Sequence, residues 1–448
     1  MVRRSSATYW RQRGRGKIQA SVLWVSVFFA GVSSAADGQT PVPAQKVTAE
    51  IVAQWVAKLD AEERTDREAA EKGILALGPD VLPFLPPADD ESLSAEQRQR
   101  LKRLVPSIWR AKLDADLAGS KVSLGDKPVL LLDALKSLSD QSGNAFKDLR
   151  ADFNQEVSNN PLQVPADANT FWKALDAVID ASKMSLYYHA DDRQIGLVGR
   201  PRVSGPVSYA GAFRFEAQRI TLQRELSRPN EPAECRVMID ALVEPRLRPL
   251  MFEIDTANFI VVDDKERRLG FAGPANYPIM IESSAFEYPF ELHLTAPPRD
   301  SQKIVELSGE ILAWLPANVE TFTFDRLEVG KPVSRESAGL RVEMEGVTSE
   351  DGVWTVPLRV EYSLSDSNVE SYLQVMLQNE LYLESADGKR FEQNGGMNTF
   401  PSQGNETRAE YLFVDAPGNL SDYKLVLRIP SGLTRVPVKF SFKNLPLP

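Results

Sequence analysis

The 448-residue sequence predicts a multidomain α+β protein, and three observations predict it. Apolar residues recur every three or four positions over 47–118, the period of an amphipathic helix. Strand, helix and strand then follow one another twice over 119–200. From about residue 205 the period falls to two, as in half-buried strands. The expected order is a small helical region, a double β-α-β domain, then two antiparallel β-sandwich domains.

The chain opens on a different pattern. Arg3, Arg4, Arg11, Arg13, Arg15 and Lys17 carry six positive charges with no acid among them. An apolar run (ASVLWVSVFFAGV) and the small residues Ser33, Ser34, Ala35 and Ala36 follow. Charged, apolar and small-residue regions in that order are the parts of a secretory signal peptide, read here as residues 1–36. Cleavage after Ala35 or Ala36 fits the small-residue rule. A retained anchor is the alternative, although the run is short against the roughly 20 residues a membrane span needs. A twin-arginine reading of Arg3-Arg4 fits the following residues poorly. Loss of the signal would take the net charge from −10 to about −16. So acidic a chain argues against broad nucleic-acid binding, which needs a basic face. The expected location is the periplasm or cell surface, without a transmembrane domain in the mature chain.

Residues 37–46 read as a linker. In the helical bundle or degenerate repeat of 47–118, Ile51, Trp55 and Leu59 mark one helix face, with Val52 and Val56 beside it. Thr65 with Glu68, and Ser94 with Gln97, have capping-box spacing. Gly78 is placed to end the middle helix, and Pro106 to kink or split the last one.

Over 119–200 a strand (KVSL) leads to a helix from about Pro128 to Ser142, capped by Gly143. A second strand (PLQV) leads to a helix from about Thr170 to Lys183. Leu132-Asp133-Ala134-Leu135 and Leu175-Asp176-Ala177-Val178 repeat a signature 43 residues apart. This arrangement, with the phrase NTFWKALDAVIDASKMSLYY, resembles the short secretin and TonB N-terminal domain of bacterial envelope proteins. The resemblance implies two small β-α-β units and carries no chemistry. The family's usual neighbours, a secretin pore or a barrel, find no counterpart in the rest of the chain.

The first sandwich is expected over 205–328. Phe213, Phe215 and Ala217 alternate there with Arg214, Glu216 and Gln218, and Phe290, Leu292 and Leu294 with Glu291 and His293. The second is expected over 329–448. Trp354, Val356, Leu358, Val360 and Tyr362 form one strand face, Asp351-Gly352 and Asp387-Gly388 mark hairpin turns, and Val436, Val438, Phe440 and Phe442 form a last strand. Both read as immunoglobulin-like. The whole layout resembles uncharacterised exported multidomain proteins of planctomycete-type bacteria.

Few residues suggest chemistry. Cys235 is the only cysteine, so an internal disulfide is excluded, and its alternation with Val237 and Ile239 points to the core. The two histidines, His189 at the end of a strand-like run and His293 alternating outward with Glu291, read as ordinary surface or half-buried residues. Nucleotide-binding, zinc-protease, nucleophile-elbow and EF-hand motifs are missing from the sequence. Asp240, Glu244, Asp263 and Asp264 are the candidates for a carboxylate-based hydrolase. Adjacent strand residues face opposite ways, which makes Asp263-Asp264 a poor pair. The turn SLSDSNVE offers Asp366 and Asn368 as calcium ligands, with a solvated turn as the plainer reading. Trp354 could form a sugar platform but lies on an apolar face. The sequons at Asn405 and Asn419 are taken as chance matches. No catalytic, metal-binding or cofactor-binding residue is assigned, and no cofactor is expected. The leading expectation is a non-catalytic exported protein that binds an envelope protein or cell-wall component or has a structural role. The alternatives are a carbohydrate-binding protein and a carboxylate-based hydrolase.

Overall fold

The computed structural model describes residues 47–448 apart from 87–89, 91, 189–193, 228–229, 231, 282–285, 317, 326, 328–330, 338–339, 363–378 and 402–405. The expected signal peptide and linker, His189, Asp366, Asn368 and Asn405 therefore lie outside the described residues.

Helices α1 (Ala49–Lys58), α2 (Arg64–Ala76) and α3 (Ala95–Leu117) enclose a small core of Val52, Leu59, Ile74, Val81, Leu101 and Ile108. Ser94 and Gln97 complete both halves of the expected capping box on α3. The Thr65–Glu68 box does not form. The α2 cap is Glu63, so Thr65 already lies inside the helix, and Glu68 pairs with Arg64 one turn back. Helix α3 runs unsplit through Pro106. Its end leaves the helical core, and Leu113 and Leu117 pack into the first sandwich.

The double β-α-β pattern is present, with shifted entries. Strand β1 is Val129–Leu130, and Lys121 of the expected KVSL strand makes only an isolated bridge to Thr170. Helix α4 is Leu131–Ser142, β2 Phe146–Asp148, β3 Pro161–Leu162, α5 Phe171–Ser182, β4 Ser185–Tyr187 and β5 Ile195–Val198. Strand β5 lies between β2, which is parallel to it, and β4, which is antiparallel. The repeat is out of phase with the sequence signature. Buried Leu131, Ala134, Leu135 and Leu138 of α4 match Phe171, Ala174, Leu175 and Val178 of α5, an offset of 40 residues. Each helix ends on a left-handed residue, Gly143 or Lys183.

Among the described residues, 42% are strand and 23% helix, spread over several sheets, consistent with a multidomain α+β protein. In the first sandwich, one sheet has the order β12 (Glu287–Thr295), β8 (Glu234–Val243), β7 (Phe213–Gln223), β6 (Val207–Ala210). In the other, the long strand β13 (Lys303–Leu315) pairs along one edge with β10 (Ile260–Asp263) and then β9 (Met251–Asp255), and β11 (Asn276–Met280) lies beyond β9. The other edge of β13 is taken by the last strand of the chain, β24 (Thr434–Pro446). This corrects the expected break at residue 329. Val438, Phe440, Phe442 and Leu445 fill the first core, not the second. The Phe440 ring touches Phe215, Phe259, Phe290 and Phe442.

The second sandwich is thus an insertion. One of its sheets contains β14 (Asn318–Phe324), β23 (Tyr423–Ser431), β19 (Glu380–Ser385) and β20 (Arg390–Glu392). The other runs through β15 (Val333–Ser337), β16 (Leu340–Met344), β18 (Val353–Tyr362), β22 (Glu406–Val414) and β21 (Met397–Thr399), with β17 (Thr348–Glu350) also against β18. Pairing of β13 with β24 reaches Leu315–Thr434, and pairing of β14 with β23 begins at Asn318–Ser431, three residues on along one strand and three back along the other. The register is unchanged. Two antiparallel ladders in the same register therefore follow one another, the first in one sandwich and the second in the other. Gly432 lies at the crossing with φ +61, a left-handed conformation that a glycine adopts without strain.

Gly309 of β13 faces Phe259. A Cβ there would sit 2.2 Å from the Phe259 ring. Gly309→Ala should therefore overpack the first core and cost about 1–3 kcal/mol, read as a lower urea midpoint with an unchanged slope.

Candidate functional site

Among the described residues, buried charge gathers most where the α/β unit covers one end of the β12–β8–β7–β6 sheet. Strand β7 places Phe213 and Phe215 in the sandwich core, so Arg214 and Glu216 must point the other way. The alternation predicts exposure for them. Instead the α/β unit covers that end of the face, and Arg214 is 0% and Glu216 3% exposed. Arg214 donates through Nε to Asp176 at 2.9 Å and through Nη1 to Glu216 at 2.7 Å. Asp176 lies on α5 among Phe171, Trp172, Leu175 and Ile179, and it also accepts from Arg202 and the Tyr209 hydroxyl, each at 2.5 Å. Arg202 continues to Asp180. Burial and the Asp176 carboxylate hold the Tyr209 hydroxyl above the ordinary phenol range, which suits its role as donor.

A second buried acid joins three units. Glu244, 0% exposed, accepts from Ser120 N at 2.8 Å and from the Ser120 hydroxyl, Asn144 Nδ2 and Arg246 Nε. Arg246 also binds Asp116 at the end of α3. Nearby, Ala212 N donates to Leu117 O, while Ala212 O accepts from Trp172 Nε1 and Glu244 N. The ends of the helical region, the α/β unit and the first sandwich are thus tied by buried and partly buried hydrogen bonds.

The other candidates are scattered. Cys235 is fully buried, with its thiol pushed up to about 11 by burial. His293 contacts Glu234 across the exposed half of the sheet. Asp263 accepts from Lys265 N, Arg267 N, Arg267 Nε and Ser301 Oγ and so shapes a tight turn; Asp264 accepts from Gln302 N. Trp354 is core, edge-on to Tyr423. Asn419 is exposed before a short 3-10 turn. Of the sequence candidates, Asp240 belongs to the buried cluster, opposite Glu216, and Glu244 forms the second joint. Arg214, Asp176, Arg202, Tyr209, Glu216 and Glu287 were not singled out from the sequence. An acid on the apolar face of α5 was the one available signal, for Asp176.

A shallow groove of about 510 Å³ lies on the first sandwich. Ile260, Ser308 and Ser441 are paired in one row across it, and Ser208 accepts from Ser441 N at its end. Asn258, Glu310 and Lys439 border it, the last two 3.7 Å apart. Among the described residues no group of three or more His, Cys, Asp or Glu is arranged to hold a metal ion, and no helix is long and apolar enough to cross a membrane. Compared with protein families, curated proteins and solved structures, the chain matches none.

Proposed function

We propose that the chain is an exported, non-catalytic envelope protein that binds a protein or cell-wall component or serves as part of a surface structure. The observation that carries this reading is the use made of buried charge. Asp176, Glu216 and Glu244 are held by Arg, Tyr, Ser or main-chain donors at joints between units. Such joints fix successive units as a scaffold that presents its outer surfaces. The secretin/TonB-type character of 119–200 and the immunoglobulin-like character of the sandwiches belong to the same proposal. The strand–helix order of 129–198 and the antiparallel pairing of the sheets support it.

In-cell crosslinking of a C-terminally tagged chain, with capture and mass spectrometry, tests it. A reproducible envelope partner and a mature start at Ala36 or Asp37 are expected. Turnover of a defined substrate, abolished by one Asp or Glu substitution, would replace this reading with a hydrolase.

The groove favours a second reading, a carbohydrate-binding protein. Its hydroxyl and amide groups, neutralised ion pair and exposed Ile260 suit an uncharged polyhydroxylated ligand. A glycan array with no signal above background would remove it.

A further inference from the structure

Three acids meet under the α/β unit. Glu216 lies directly opposite Asp240, and Glu287 comes from the next strand, two residues from the Pro289 that pairs with Asp240. The register therefore sets Asp240 and Glu287 as diagonal neighbours on the face that the α/β unit covers. Two ionised carboxylates so placed away from water repel each other, which favours keeping a proton on one of them. The surrounding charge agrees. Strand β7 contributes Arg214 and Glu216, and helix α5 contributes Asp176 and, further out, Asp180. Arg202 follows β5, Tyr209 comes from β6, and Tyr188 from the end of β4. Both of Arg214's hydrogen bonds go to Asp176 and Glu216, and Arg202's to Asp176 and Asp180. Among the described residues Arg214 acts on Asp240 only through space, its own hydrogen bonds going to Asp176 and Glu216, which leaves a proton to hold the Asp240–Glu287 pair together.

The pair sits on the contact itself. Phe286, next to Glu287, and Leu242, paired with Glu287, are sandwich residues that pack into the core of the α/β unit. The Phe286 ring lies 5.9 Å from that of Tyr188.

We infer that Asp240 and Glu287 share one proton at the joint between the α/β unit and the first sandwich, and that its loss as pH rises loosens the joint. The fold thereby contains a proton-operated clamp, closed in acid and weakened in base. Burial first, and the Asp240 carboxylate second, push Glu287 up to about 8. A carboxyl raised in the folded state stabilises fully below its ordinary range near 4.5. That contribution is lost as pH climbs through about 8. The clamp does not depend on what the chain binds, so its failure would leave the proposed function standing.

Hydrogen exchange of the intact mature chain, corrected for intrinsic rate, tests the clamp. Protection of Phe171–Ser182, Ser185–Tyr187 and Glu287–Thr295 should fall at least about tenfold between pH 6 and 9. Glu287→Gln, a neutral isostere, should fold and flatten that slope, and Asp240→Asn should do the same. Flat protection in the unaltered chain would overturn the inference. So would an unchanged slope in the variants. Failure of both variants to fold would overturn it too, because each mimics the closed clamp.

Discussion

Ending the chain after Gly432 will leave the first sandwich unfolded, although every other strand of that sandwich lies before residue 316. The truncation removes β24 and with it the buried side chains of Val438, Phe440, Phe442 and Leu445. At about 1.5–3 kcal/mol each, their burial is worth about 6–12 kcal/mol. Net domain stability is about 5–15 kcal/mol, so the loss consumes most or all of it. The ladder from Lys303 to Leu315 loses its partner as well, exposing an edge open to pairing between chains. The expected result is loss of the near-ultraviolet signal of the core aromatics, with aggregation. A cooperative unfolding transition of unchanged midpoint would show that β24 is dispensable.

The second large effect is at Arg214. Arg214→Ala strands Asp176 and Glu216 in the buried joint without their shared guanidinium. Breaking a buried pair from one side costs about 3–5 kcal/mol. Asp176 keeps Arg202 and Tyr209, and Glu216 keeps Gly205 N, so the chain should fold with a lower urea midpoint. Adding Asp176→Asn and Glu216→Gln to Arg214→Met should recover much of the loss, because the uncompensated charge is then gone. If Arg214→Ala changes the midpoint little, the joint is not held by charge.

The two predictions mark where sequence patterning informs and where it stops. Period two along Phe213–Ala217 reports which side chains share a face, and those facing the sandwich core do so as read. It does not report what covers the other face, so Arg214 and Glu216 read as surface. The run from Val436 to Phe442 is equally plain as a strand, but a strand carries no label for its sheet. Its partner, β13, is more than a hundred residues away, across the whole second sandwich. The helix signature is a subtler case. Leu132 and Leu175 match in sequence, yet Leu132 is 44% exposed and Leu175 fully buried, because the helices repeat at 40 residues and not 43. The capping box at Ser94, the left-handed Gly143 and the core role of Cys235 depend only on local residues, and these were readable.

The central structural claim is that the second sandwich is inserted between β13 and β24, two paired strands of the first. Replacing residues 316–433 by Asn-Gly tests it most directly. Leu315 and Thr434 are already paired, and a two-residue turn of that kind closes such a pair into a hairpin. The account predicts that this shortened chain folds and unfolds cooperatively, while a chain of residues 47–328 does not fold. A folded 47–328 chain beside an unfolded shortened one would contradict it.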